Sequence, residues 1–171
     1  FDRIIDECFA AFEHNLKALE KGLESGNSFV LGTVATDLAR QERGVLIDDV
    51  LIDRALVYTL AAEVGNHEVG LRPCAGTGDA CPYTGLLKAL MENGVAPERV
   101  RLTSPLILKV GSIFRAGKVT TGCNMEGYGA GAAATAAALT DLRGGTAAQV
   151  AKAMIMAISP TVGVPCTPRV I

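Results

Sequence analysis

Apolar residues recur at helical spacing through the first 25 residues, and this stripe is the strongest single constraint on the fold. Phe1, Ile4, Ile5, Cys8, Phe9, Phe12, Leu16, Leu19 and Leu23 share one side of a helix of 3.6 residues per turn. The period predicts an amphipathic helix over residues 1–25, closed by Gly26-Asn27-Ser28. Cys8 lies on the stripe and reads as a small buried apolar residue. His14 lies on the polar side and is expected to face solvent.

The rest of the chain divides into helix-length pieces. A second helix is predicted over residues 48–64, with Asp48 and Asp49 at its start, where the helix dipole favours them. Leu51, Ala55, Leu56, Leu60 and Val64 are expected to form its buried face. The charged stretch 37–43 between the two helices reads as short helix and loop. Residues 65–83 hold Gly65, Gly70, Pro73, Gly76, Gly78 and Pro82, and read as irregular. A helix over 84–93 follows, with Gly94 as its C′ residue. Residues 100–113 are rich in β-branched side chains and fit either strand or helix. The alanine- and glycine-rich stretch 128–142 predicts a helix with a flat face for close packing, ended by Gly144-Gly145. Thr146 and Gln149 then form a capping box, opening a helix that stops at Pro160. The expected architecture is mainly α. It is a compact multi-helix domain spanning residues 1–171, with glycine-rich loops as its active-site elements.

Composition narrows the class further. Hydrophobic residues make up 49% of the chain but aromatic ones only 5%, with no Trp, so Ala, Leu, Val and Ile must build the core. A net charge of −2 offers no basic excess to attract nucleic acid or an anionic membrane. No apolar run approaches the roughly 20 residues a membrane span needs. The five cysteines, Cys8, Cys74, Cys81, Cys123 and Cys166, are odd in number and irregular in spacing. That argues against a secreted disulfide framework and for a reducing cytoplasm. Without a C-x-x-C pair, a zinc ribbon is not expected.

Two cysteines sit in settings suited to chemistry. Cys123 lies in Thr121-Gly122-Cys123-Asn124-Met125-Glu126-Gly127, ahead of the alanine-rich stretch. Cys166 lies in Gly163-Val164-Pro165-Cys166-Thr167-Pro168, after the last helix. Thiols at helix ends are good ligands for a soft metal, and plain buried thiols are the alternative. The loop of Cys74, Ala75, Gly76, Thr77, Gly78 and Asp79 lets backbone N–H groups approach an anion, or is merely a helix connector. Asn66 and His67 precede it.

These segments together, with Pro73 and Pro82 flanking the loop and Gly144-Gly145-Thr146 after the small-residue helix, resemble the alpha domain of the iron–sulfur-dependent L-serine dehydratases. The first is similar to that family's P-T-[AN]-G-[SA]-[AS]-G loop, the second to its G-C-Q-x-E-V-G, and the third to its G-[LM]-x-C-D-P. The resemblance covers about residues 50–171. It implies a lyase, an L-serine ammonia-lyase of amino-acid catabolism and gluconeogenesis, that converts L-serine to pyruvate and ammonia. It implies a [4Fe–4S] cluster with Cys123 and Cys166 as two of three ligands and residues 74–79 as the substrate clamp; Glu126 is a candidate catalytic carboxylate, with a cap or salt bridge at a helix start as its alternative. The third ligand falls beyond Ile171, so the expectation is a fragment that does not hold a complete cluster. A beta domain or subunit and further copies of the chain are the implied partners.

The chain also departs from the pattern. Cys74 stands where the family has threonine, Asp79 where the last loop glycine is, Asn124 for glutamine and Thr167 for aspartate. A related β-elimination such as L-cysteine desulfidation therefore stays open, as does a non-catalytic homologue used in assembly or sensing. A metal-free helical scaffold is the third alternative, and Cys74 and Cys81 remain further possible ligands.

Overall fold

A computed structural model describes residues 1–25, 31–41, 46–73, 80–116 and 127–162. Every element among them is helical: α1 Asp2–Ser25, α2 Val34–Ala39, α3 Val50–Val69, α4 Ala80–Glu92, α5 Pro97–Arg115, a π-helical turn Gly127–Gly131, α6 Ala132–Leu142, α7 Ala147–Ile158 and a 3-10 turn Ser159–Thr161. The mainly α expectation therefore holds for the described residues. The glycine-rich loop 74–79 lies outside them.

Local chemistry sets the helix ends. Asp49 caps α3, its carboxylate accepting from Ile52 N at 3.1 Å. Gly94, at φ 73°, closes α4, and Pro97 opens α5. Residues 100–113, undecided from sequence, are helical despite Pro105. A proline cannot donate to the carbonyl four residues back. Here Ser104 Oγ donates to that carbonyl of Arg101 at 2.8 Å, so the acceptor is satisfied. Thr146 and Gln149 form the predicted capping box on α7: Thr146 N donates to Gln149 Oε1 at 2.8 Å, and Gln149 N to Thr146 Oγ1 at 3.4 Å. Thr146→Ala should cost about 1 kcal/mol. In a chain of this size that lowers Tm by about 2–4 °C in a melt followed by circular dichroism. An unchanged Tm would mean that α7 begins independently of its cap.

The helices pack around one apolar cluster, with α3 against both α1 and α4. Phe12, Leu19, Tyr83, Leu86, Leu87 and Leu90 are its largest fully buried members. Small residues set the spacing. A Cβ at Gly22 would lie 1.8 Å from Ala61 O, and one at Gly65 would lie 1.8 Å from Ala18 O. The two glycines let the backbones of α1 and α3 touch. Gly85 does the same for α4 against Thr59 and Ala55. On α6, Ala133, Ala134, Ala137 and Ala138 are buried, which is the predicted flat face.

Three expectations need correction. The buried residues of α3 are Asp53, Arg54, Ala55, Val57, Tyr58, Ala61, Ala62, Val64 and Gly65, while Leu56 is 39% exposed. With helices on two sides, α3 buries its small residues at the crossings, and no single leucine face forms. Residues 65–83 are not irregular throughout, because α3 continues to Val69 and α4 begins at Ala80. Gly65 is a contact residue inside a helix rather than a breaker. On α1, Phe1 and Ile4 are exposed, so the stripe is covered only from Ile5 onward.

Candidate functional site

Helix directions decide which segments meet. In the α3–α4 pair, Cys81 at the start of α4 meets Glu63 late in α3, and Glu92 at its end meets Tyr58. α6 runs back along α5. Arg99 Nη2 reaches Asp141 O at 2.8 Å and Oδ2 at 3.1 Å at one end, and Phe114 lies beside Gly129 at the other. α7 reverses again after the short connection 143–146, and the π-helical turn touches α4, α5 and α7. Ala116 and Gly127, which border segment 117–126, therefore lie at the same end of the α5–α6 pair.

Side chains from α1 and α3 hold the backbone entering segment 74–79. His14 Nε2 lies 3.0 Å from Gly70 O. Leu71 N donates to Asn66 Oδ1 at 2.7 Å. Arg72 N donates to Asn15 Oδ1 at 2.7 Å, and Asn15 Nδ2 donates back to Arg72 O at 2.8 Å. Asn15 Nδ2 also donates to Thr84 Oγ1 at 3.0 Å, on the far side of the segment. Asn15 is fully buried, and its amide bonds both stems. Tyr83, beside Thr84, donates its hydroxyl to Cys8 O and sets its ring edge-on to Phe12. α1 thus fastens both stems at once.

His14 was expected in solvent. Instead it is half-buried on the Gly70 carbonyl, because α1 crosses the last turn of α3 and the polar side of α1 meets backbone there. His67 is exposed. Asn15 was not anticipated. Its signal was present: a polar residue between Phe12 and Leu19 lies inside the apolar stripe, where a side chain must find polar partners.

Cys81, in the first turn of α4, is buried and donates its thiol to Glu63 Oε2 at 2.7 Å. Cys8 is half-buried, and neither cysteine is in a disulfide. Burial first, and then the charge of Glu7, push the Cys8 thiol above its ordinary value. Burial, followed by the hydrogen bond to Glu92, raises Tyr58. Burial, followed by Cys8, raises Tyr83 strongly. All three groups are held neutral by the fold. Their contribution to stability is complete below their unfolded values and is lost as pH rises through the folded ones. Tm should therefore stay level up to about pH 8.5 and fall beyond it, more steeply above about pH 10, where unfolded phenols ionise. Tyr83→Phe should flatten the steep part. A Tm that stays constant to pH 11 in the unaltered chain would contradict these shifts.

The predicted site residues Cys74, Ala75, Gly76, Thr77, Gly78, Asp79, Cys123, Glu126 and Cys166 all lie outside the described residues. Among the described residues, no group of three or more His, Cys, Asp or Glu side chains is arranged to hold a metal ion, so Cys81 and Glu63 stand as a pair. No helix among them is long and apolar enough to cross a membrane. Compared with family models, with characterised proteins and with solved structures, the chain gives no match.

Proposed function

We propose that this chain is the alpha part of an iron–sulfur-dependent L-serine dehydratase, an ammonia-lyase that converts L-serine to pyruvate and ammonia. The observation that carries this reading is the ordered set of three motifs, around Cys74 to Asp79, Cys123 to Glu126 and Val164 to Pro168, each followed or preceded by a helix.

Cys123 and Cys166 would hold a [4Fe–4S] cluster, and thiolate is the donor chemistry such a cluster takes. When bound with three protein ligands, the cluster leaves one iron open as a Lewis acid for the substrate hydroxyl. The chain's own residues do the remaining work. Backbone N–H groups of Ala75, Gly76, Thr77, Gly78 and Asp79 bind the substrate carboxylate, with Cys74 at the head of the loop. Glu126, three residues after Cys123, is the candidate catalytic carboxylate, and a base takes the α-proton. Loss of the α-proton and the hydroxyl gives aminoacrylate, which tautomerises and hydrolyses to pyruvate and ammonia. A beta domain or subunit completes the site, in a cytoplasmic homo-oligomer of amino-acid catabolism. Cys74 and Asp79 make L-cysteine desulfidation the second reading, because they change the loop that would select the substrate.

The test uses the native full-length protein, reconstituted with iron and sulfide without oxygen. Pyruvate and ammonia are measured from L-serine and from L-cysteine. Equal amounts of both from L-serine are the expected result. Product from L-cysteine alone transfers the reading to desulfidation, and a protein that takes up no iron ends it.

A further inference from the structure

We draw no further inference here: the strongest candidate, the outward apolar face of α7 around Ile155 and Met156, carries nothing because nothing in the structure shows what covers it.

Discussion

Gly65→Ala should be among the most damaging single-methyl changes in this protein. The new Cβ would lie 1.8 Å from Ala18 O and 3.0 Å from Gly22 N, and both are backbone atoms of α1. No rotamer change relieves such a clash, so α1 and α3 must separate. Gly22 against Ala61 O lies at the same crossing, so the whole contact opens rather than one corner. Overpacking in a core costs about 1–3 kcal/mol when side chains can yield, and this contact should reach or exceed the upper figure. At about 2–4 °C per kcal/mol for a chain of this size, Tm should fall by about 6–12 °C or more. α1 also carries Asn15, so the separation should disturb the loop stems as well. A Gly65→Ala protein melting within 2 °C of the original, by the same circular dichroism melt, would show that the helices do not cross this closely.

The largest effect on activity should come from Cys123→Ala. Under the proposed function Cys123 is a cluster ligand, so the variant should lose bound iron and most pyruvate release together. We expect the rate to fall to a hundredth or less, a loss of about 2.7 kcal/mol or more of transition-state stabilisation. Cys166→Ala should behave alike. Cys8→Ala is the control. The Cys8 side chain is a half-buried thiol on α1, and the bond Tyr83 makes there goes to the Cys8 backbone carbonyl, which the change retains. Cys8→Ala should therefore keep iron and activity. If all three variants keep iron and activity, Cys123 and Cys166 are packing residues and the cluster assignment is wrong. If the unaltered protein binds iron that Cys123→Ala does not, and neither makes pyruvate, the cluster stands and L-serine falls as substrate.

Much of the fold was legible because its signals are local. The α1 stripe from Ile5 onward, Asp49 at the start of α3, Gly94, Gly144 and the Thr146–Gln149 box each act within a turn or two of the chain, and each lies where the pattern put it. Residues 100–113 were undecidable because β-branched side chains suit a strand as well as a helix, and within α5 the hydroxyl of Ser104 satisfies the Arg101 carbonyl that Pro105 leaves free. Gly65 misled because a glycine that breaks a helix and one that admits a neighbouring backbone look alike in sequence. The candidate site rests on motifs alone, and its nine predicted residues lie outside the described part of the chain.

The sequence by itself determined a set of helices, their caps and a core of small and aliphatic side chains, because helical period and capping chemistry depend on residues a few positions apart. Only the tertiary structure decided that α3 packs against both α1 and α4, and that Asn15 and His14 bond the backbone of residues 70–72. The bonds from Asn15 span 57 positions to Arg72 and 69 to Thr84. Such partners are set by how antiparallel helices cross at their glycines, which no local pattern encodes.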